Sequence, residues 1–408
     1  MAIIHAFKGL RPKKEFVRRI AVLPYDVVTA EEARKAAADN SLSFFHVSKP
    51  EIDFPPDVDY QDREVYLHGK AYLEKMISDG ILAQDDSPCM YLYTQIMSGR
   101  EQTGLVACIS IDDYLNNVIK KHELTREDKE NDRANHIEVT GANTGQVFLF
   151  FNDDGSKTRC FQKAMQIPPE YNFISEDGVR QIIRIIDDKG LIASFISSFR
   201  SDVLYIADGH HRAAAAARVG QKRREENPRY TGEEEFNRFM AVIFPHKQLQ
   251  ILPYNRVVRD LNGFSHEGFI ERISKNFYIQ KKNKPAPEAI HEICMYLNHT
   301  WHELKPRFDP GDDPMDSLDV RLLQNYVLEP ILGIRDSRTD KRIDFIGGEK
   351  SVDELTAVVD SGSYMVGFSL YPTGIEQLMA VSNAGAIMPP KSTWFAPKLR
   401  SGMVVHLL

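Results

Sequence analysis

The amino-acid sequence predicts an α/β fold with a mixed sheet, and three observations carry this prediction. Short apolar runs rich in β-branched and aromatic residues alternate with helix-forming stretches in both halves of the chain, a pattern typical of layered α/β architectures. The 408 residues are 42% hydrophobic and 27% charged, so a globular protein of two or more domains is expected. No internal repeat or low-complexity tract interrupts the sequence.

The N-terminal region is predicted to contain short strands and one helix. Residues 3–7, 20–23 and 43–50 are strand-like apolar runs. Thr29 followed by Glu32 is a capping box, which predicts that a helix begins immediately after the threonine.

Basic side chains in this region have two open interpretations. Arg11, His46 and Lys49 either meet solvent at the ends of loops and strands or converge on an anion. Tyr25 and Asp26, in the turn before the predicted helix, complete the candidates for substrate binding.

A helix and a hairpin are predicted next. Residues 60–79 have helical spacing of their apolar side chains, and Gly80 ends the pattern. Residues 90–97 and 104–111 predict two antiparallel strands.

The charged segment at residues 119–136 contains a candidate catalytic pair. His122 and Glu123 stand in a loop just before a predicted helix, and Arg126 and Arg133 fall on one face of that helix because they are seven residues apart. A solvated helix face is the ordinary explanation for such a charge run. A carboxylate and basic groups of a catalytic site are the alternative.

A strand, a tight turn and a helix form the most informative stretch. Residues 203–207 are an apolar run typical of a buried strand, and Asp208-Gly209 is a strong turn dipeptide. A run of five alanines follows and predicts a helix. We expect another helix at residues 176–187 before this stretch and a polar loop at residues 221–235 after it.

The start of the alanine-rich helix is a predicted anion site. His210, His211 and Arg212 fall in its first turn, where backbone N–H groups and the helix dipole favour negative charge. Asp208 either caps this helix, binds Mg²⁺ or does both.

Helices and strands continue to alternate after a domain boundary expected near residue 260. The expected helices are 269–277, 287–297, 319–327, 351–361 and 374–384, and the expected strands are 342–348, 364–371 and 403–408. A late proline-rich loop carries Lys391, Thr393 and Lys398, and it is either a surface turn or a lid that delivers Lys391 to a site.

Composition excludes several classes of protein. The net charge of −7 and pI near 6.0 do not indicate nucleic-acid binding. The four cysteines are widely spaced and predict neither a disulfide framework nor a metal-type pair. No apolar run is long enough for a membrane span, and the N-terminus lacks the apolar core of a signal peptide. A cytoplasmic protein is therefore expected.

These groups together fit phosphoryl transfer. Such a reaction needs helix N–H groups, Arg, Lys and usually Mg²⁺ to offset phosphate charge, together with a carboxylate base for the acceptor hydroxyl. Glu123 is the candidate base. A zinc site at His210 and His211 is an alternative, although adjacent histidine side chains diverge and the sequence suggests no third ligand.

Five motifs, in this order, resemble the domain-of-unknown-function family 1015 over most of the chain. They are FKGLRP, LPYDVV, SFFHVSKPEID, HELTREDKENDR and VLYIADGHHRAAA. The segments YIADGHHR and PPKSTWFAPK and the His-Glu pair are similar to the free-serine kinases, which have a ParB/sulfiredoxin-like nucleotide-binding core.

This second resemblance implies a function and assigns site residues. It implies transfer of a phosphoryl group from ATP or ADP, with Mg²⁺, to a small hydroxylated metabolite, with free L-serine as the candidate. The implied catalytic residues are Glu123, His122 and Asp208, with Asp208 also a candidate magnesium ligand. The implied phosphate cradle is formed by Asp208, Gly209, His210, His211 and Arg212, and Lys391 and Thr393 would close the site from the last loop. Arg126 and Arg133, on their shared helix face, are further candidates for phosphate and nucleotide binding.

The resulting hypothesis divides the chain into two domains. Residues 1–259 would form the N-terminal region and the phosphate-binding core, and residues 260–408 a C-terminal α/β domain whose last loop closes the site. A nucleotide-binding switch of ParB type without kinase activity and a metal-dependent hydrolase remain as alternatives. The hypothesis allows a homodimer.

Overall fold

A computed structural model describes residues 2–348 and 351–408 of the chain. The chain divides into two compact units, the first comprising Met1–Leu249 and Pro397–Leu408 and the second comprising Gln250–Ala396. Both contain helices and sheets, so the predicted α/β class is confirmed.

The described strands are, in chain order, β1 (Ile4–His5), β2 (Leu10–Pro12), β3 (Leu82–Gln84), β4 (Met90–Met97), β5 (Arg100–Ser110), β6 (Ile119–Lys120), β7 (Ala142–Asn143), β8 (Val147–Phe151), β9 (Tyr171–Ile174), β10 (Arg180–Ile186), β11 (Leu204–Asp208), β12 (Arg238–Pro245), β13 (Gln250–Leu252), β14 (Tyr254–Val258), β15 (Phe277–Lys281), β16 (Ile293–Leu297), β17 (Thr300–Pro306), β18 (Ile343–Gly347), β19 (Val366–Leu370), β20 (Trp394–Ala396) and β21 (His406–Leu407).

The described α-helices are α1 (Val17–Ile20), α2 (Ala30–Ala37), α3 (Phe45–Ser48), α4 (Arg63–Ser78), α5 (Ile111–Leu115), α6 (Glu127–Thr140), α7 (Thr158–Met165), α8 (Lys189–Phe199), α9 (His210–Glu226), α10 (His266–Ser274), α11 (Asp319–Leu323), α12 (Ser351–Asp360) and α13 (Ile375–Asn383). Short 3₁₀ turns cover Pro50–Asp53, Glu235–Asn237 and His246–Gln248, and a π-helical turn covers Gln324–Leu328.

A nine-stranded mixed sheet forms the centre of the first unit. Its order is β6-β11-β8-β12-β5-β4-β10-β9, and β1 pairs with β5. Strand β11 runs parallel to β6 and antiparallel to β8, and β8 runs parallel to β12. Alternate residues of β5 and β12 share one buried apolar cluster with the alanines of α9. The alanine run therefore lets α9 pack closely on this sheet, which fixes the position of its first turn.

The second unit is built on an antiparallel six-stranded sheet in the order β15-β17-β16-β19-β14-β18. Leu355 of α12 is buried with Val257, Tyr296 and Ile346 of this sheet. The domain boundary predicted between residues 259 and 260 lies inside this unit, because β14 pairs with β18 and β19.

Several predicted elements are confirmed. Thr29 caps α2 through the expected capping box with Glu32. Strands β4 and β5 pair as the predicted antiparallel hairpin, and β11 leads through Gly209 directly into α9.

Other predictions were wrong, because apolar runs do not distinguish a buried strand from a short helix. The predicted strand at residues 43–50 is α3 followed by a 3₁₀ turn, and residues 20–23 contain the end of α1 and a single bridge at Val22. The predicted helix at 176–187 is mainly β10, whose β-branched residues favour a sheet.

Two further corrections concern helix ends and the second unit. The predicted helix at residues 287–297 ends instead in strand β16, which pairs with β17 and β19. The predicted loop at residues 221–235 begins as the last turns of α9, which continues to Glu226. Among the described residues, no helix combines the length and apolarity needed to cross a membrane.

Candidate functional site

The turn between β11 and α9 requires glycine. Gly209 has a φ of 96°, in the left-handed region, and a Cβ atom there would lie 3.0 Å from Cζ of Arg212. Within the described part of the chain, no side chain caps α9 at this residue. The first turn of α9, which follows this glycine, is a position where backbone N–H groups and the helix dipole favour an anionic ligand.

Asp208 is held between two cations at the end of β11. Its Oδ2 accepts a hydrogen bond from Nζ of Lys398 at 3.2 Å, and its Oδ1 lies 3.6 Å from Nη2 of Arg212. Burial alone would raise the pKa of Asp208, but Lys398 and Arg212 hold it well below its ordinary value. The carboxylate is therefore ionised at neutral pH.

Arg212 is buried and bridges two carboxylates. Its side chain is 8% exposed, and its Nη2 lies 3.4 Å from Oδ2 of Asp26. Its Nη1 donates to the backbone carbonyl of Gln146, whereas its Nε has no hydrogen-bond partner among residues 2–348 and 351–408. Arg212 is thus fixed in place and keeps one donor that a bound ligand can satisfy.

A second buried arginine lies on α6. Nε of Arg133 donates to Oδ2 of Asp132 at 2.8 Å, and its guanidinium lies 4.0 Å from the centre of the Tyr25 ring. Burial and the neighbouring Asp26 raise the pKa of Tyr25, which is therefore a neutral phenol at physiological pH. The predicted candidates Tyr25, Asp26 and Arg133 are thereby linked to the turn through Arg212.

His122, Glu123 and His210 form a compact group beside the turn. The two imidazole rings meet edge to face at 4.5 Å, and Nδ1 of His210 lies 4.0 Å from Oε2 of Glu123. One ligand atom from each of the three residues lies within 4.8 Å of the others. These three residues could hold a cation.

Both histidines of this group are neutral at physiological pH. Burial lowers the pKa of His122 to about 4 and lowers that of His210 well below its ordinary value. Nε2 of His210 is buried and has no hydrogen-bond partner in the described part of the chain. Each ring can therefore offer a lone pair to a ligand.

His211 points elsewhere. Its Nε2 accepts a hydrogen bond from the backbone N–H of Arg126 at 3.0 Å, which connects the first turn of α9 to the start of α6. The side chain of Arg126 is exposed and pairs with Asp128 at 2.8 Å. Arg126 thus contacts His211 through its backbone N–H, and its guanidinium pairs with Asp128 instead.

We call these residues the turn cluster. Its members are Tyr25, Asp26, His122, Glu123, Asp132, Arg133, Asp208, Gly209, His210, His211, Arg212 and Lys398, all in the first unit.

Four other predicted residues have described contacts outside the turn cluster, and a fifth, Thr393, lies in the second unit. Arg11 pairs with Asp85, His46 with Asp53, and Lys49 with Glu51. Lys391 and Thr393 belong to the second unit, where Nζ of Lys391 lies 5.6 Å from the centre of the Tyr254 ring. Their role in closing a site stays a prediction.

Sequence reasoning missed two partners in the cluster. It placed Lys398 in the late loop without its pairing to Asp208, and it gave Asp132 no role. Lys398 and Asp208 are 190 residues apart, so no local pattern could connect them. The adjacent acid and base in Asp132-Arg133 were the only signal for the second pair.

The sequence profile of the family described as "Protein of unknown function (DUF1015)" matches residues 4–321. The solved structure "Free serine kinase in complex with AMP" is 15% identical, with 71% of this chain and 87% of that chain covered and a TM-score of 0.38. A conserved hypothetical protein from Pyrococcus furiosus is 15% identical, with coverages of 74% and 95% and a TM-score of 0.37. SbnI with a C-terminal truncation from Staphylococcus aureus is 12% identical, with coverages of 74% and 87% and a TM-score of 0.38. None of the curated proteins matches the chain.

Proposed function

Within the DUF1015 family, to which this chain belongs, we propose a small-molecule kinase that transfers a phosphoryl group from ATP or ADP to a hydroxyl acceptor. Free L-serine is the candidate acceptor. The observation that carries the proposal is the first turn of α9 after Gly209, where Arg212 and Lys398 lie beside Asp208 and Glu123 lies beside His210.

The phosphates of the nucleotide would bind at the first turn of α9. Backbone N–H groups there are a ready site for phosphate oxygens. The unsatisfied Nε of Arg212 would donate to a phosphate. Asp208 would act as a positioning residue, since it holds Arg212 and Lys398 and its low pKa makes it a poor base.

Charge in the turn cluster supports a requirement for a divalent cation. With neutral histidines, its carboxylates outnumber its cations, so a phosphate brought there alone would meet net negative charge. Mg²⁺ prefers oxygen ligands, and Asp208 stays a candidate ligand only if its carboxylate exchanges a contact with Lys398 or Arg212 for the ion. Bound Mg²⁺ would neutralise phosphate charge.

Glu123 is the proposed general base. Its side chain is 37% exposed, so an acceptor hydroxyl can reach it. Its carboxylate would take the hydroxyl proton as the oxygen attacks the terminal phosphorus. His122 and His210, both neutral, would stay beside it without adding charge.

A metal-dependent hydrolase is the second candidate, and one observation favours it. The nitrogen and oxygen donors of His122, Glu123 and His210 lie within 4.8 Å of one another, a set that zinc or manganese accepts. The sequence suggested His210 and His211 as the metal ligands. Nε2 of His211 instead accepts a hydrogen bond from the backbone N–H of Arg126, so the hydrolase candidate uses His122, Glu123 and His210.

The proposal is tested by incubating the purified protein with ATP or ADP, Mg²⁺ and a panel of hydroxylated metabolites that includes L-serine. Mass spectrometry of the products should find a phosphorylated acceptor with nucleotide and Mg²⁺ both present. Nucleotide binding without any phosphorylated product would support a nucleotide-binding switch instead. Stoichiometric zinc or manganese in the purified protein, together with hydrolysis of the panel, would support the hydrolase.

A further inference from the structure

A second cluster of metal-binding side chains lies on the central sheet of the first unit. Cys108 of β5 is fully buried and alternates with Ala107 and Ile109, which belong to the apolar core. Its side chain therefore points to the other face of the sheet. His5 of β1 is directly opposite Cys108 in the antiparallel register, so the two side chains share that face.

Two residues from distant parts of the sequence complete the cluster. Nε2 of His406, the first residue of β21, lies 2.8 Å from Oε2 of Glu235, and His406 is 1% exposed. One ligand atom each from Cys108, Glu235 and His406 lies within 4.8 Å of the others. The other carboxylate oxygen of Glu235 lies 3.6 Å from Nη1 of Arg238.

We propose that Cys108, Glu235 and His406 bind a divalent transition metal ion of the zinc type, with His5 next to the site as a candidate fourth ligand. Sulfur, imidazole nitrogen and carboxylate oxygen are the donors that zinc takes in proteins. Tetrahedral zinc sets such donors about 3.3 to 3.6 Å apart at its usual bond lengths. To reach that geometry, Nε2 of His406 and Oε2 of Glu235, now 2.8 Å apart, would separate slightly, and pairs of ligand atoms nearer the 4.8 Å limit would move closer together.

Solvent reaches this region at Glu235 and at a nearby polar pocket. A polar pocket of about 130 Å³ is lined by His5, the candidate fourth ligand, and by Arg238, which pairs with Glu235. The side chain of Glu235 is 39% exposed, so an ion can approach it from solvent.

Binding would change the protonation of the thiol. Burial raises the pKa of Cys108 well above its ordinary value, so the thiol is protonated when no metal is bound. The sulfur–metal bond would replace the S–H bond, and the proton would leave to solvent, one for each ion bound.

The site would join the N-terminal strand, the central sheet and the C-terminal strand. Strand β21 belongs to the segment Pro397–Leu408, which also carries Lys398. Metal binding should therefore stabilise the fold of the first unit. This inference does not depend on the proposed kinase activity.

Cobalt(II) titration of the full-length, metal-free protein tests the site. We expect a thiolate-to-cobalt charge-transfer band in the near ultraviolet that saturates at one ion per chain. Cys108→Ser should remove the band, and the matched control Cys160→Ser should keep it. Cobalt bound at His122, Glu123 and His210 would give no such band, because that group contains no sulfur.

Absence of the band in the wild-type protein would overturn the proposal, as would a band that persists in Cys108→Ser. Should that variant fail to fold, Glu235→Gln gives the decision, since this carboxylate is partly exposed. A Glu235→Gln protein that binds cobalt as tightly as the wild type would contradict the assigned ligand set.

Discussion

Individual residues in the turn cluster are matched to different roles by their surroundings. Asp208 lies between Lys398 and Arg212, with 24% of its side chain exposed, and these two cations hold it ionised, so it suits positioning. Glu123 is partly exposed and lies beside a neutral histidine, so it suits proton transfer. This contrast between two carboxylates, set by environment, is the chemical argument for assigning Glu123 as the base.

Replacement of Glu123 by Gln should separate chemistry from binding. We expect kcat to fall by roughly 10²- to 10⁴-fold, because the amide cannot accept the proton, while the nucleotide Kd stays nearly unchanged. Steady-state kinetics and calorimetry measure the two quantities. Glu127→Gln, at the exposed start of α6, is the matched control and should retain full activity. Full turnover in Glu123→Gln would show that another group is the base.

His136 should make stability depend on pH. It is buried on α6, and its Nε2 bonds to the backbone carbonyl of Val47 at 2.8 Å. Burial, followed by the charge of Arg133, lowers its pKa from 6.5 to about 4. The unfolded chain therefore binds more protons between these values, so the free energy of unfolding falls as pH drops from about 6.5 toward 4.

The loss due to His136 should be about 2 kcal/mol between pH 7 and pH 5. Urea denaturation at both pH values measures it, and His136→Gln should show a smaller fall than the wild type. His299→Gln is the control, because His299 is 74% exposed. Equal falls in wild type and His136→Gln would contradict the prediction.

Among the secondary-structure elements, the strand-turn-helix of β11 and α9 was predictable from sequence and the hairpin of β9 and β10 was not. Asp208-Gly209 is a turn pair of known geometry, and an alanine run has few alternatives to a helix. Residues 176–187 have an apolar pattern that fits either state, and pairing with β4 decides for the strand. Tertiary contacts therefore settle the elements whose local sequence is ambiguous.

Gly209→Ala should disturb this turn in a specific way. The turn holds residue 209 in a left-handed backbone conformation, which strains any residue that has a Cβ atom. The new Cβ would also lie 3.0 Å from Cζ of the Arg212 guanidinium. We expect a loss of about 1 to 3 kcal/mol in the free energy of unfolding, together with weaker nucleotide binding.

The matched control is Gly178→Ala. Gly178 also has a positive φ, of 81°, but a Cβ there meets nothing within 4 Å in the described residues. It should lose stability from backbone strain while nucleotide affinity stays unchanged. Equal nucleotide affinity in Gly209→Ala and the wild type would argue against phosphate binding at this turn.

At the scale of the whole molecule, the last residues of the chain belong to the first unit, although the second unit lies between them and the rest of that unit in the sequence. Pro397–Leu408 belongs with Met1–Leu249, and this segment brings Lys398 to Asp208 and His406 to Glu235. Sequence patterns report periods of a few residues, so they identified the turn at Asp208 but could not identify partners across such separations. The sequence therefore predicts the part of the candidate site that lies in one continuous segment, the turn at Asp208. The ion pair of Asp208 with Lys398 could be identified only from the folded structure.

Calorimetric titration with AMP, ADP and ATP in the presence of Mg²⁺ tests most directly whether the turn cluster binds the phosphates of a nucleotide. We expect affinity to rise with the number of phosphates, by roughly tenfold or about 1.4 kcal/mol overall. Arg212→Lys should reduce that rise because lysine lacks the arginine fork, whereas Arg180→Ala, on the exposed end of β10, should preserve it. Equal affinity of the wild-type protein for all three nucleotides, or binding of none of them, would contradict the claim.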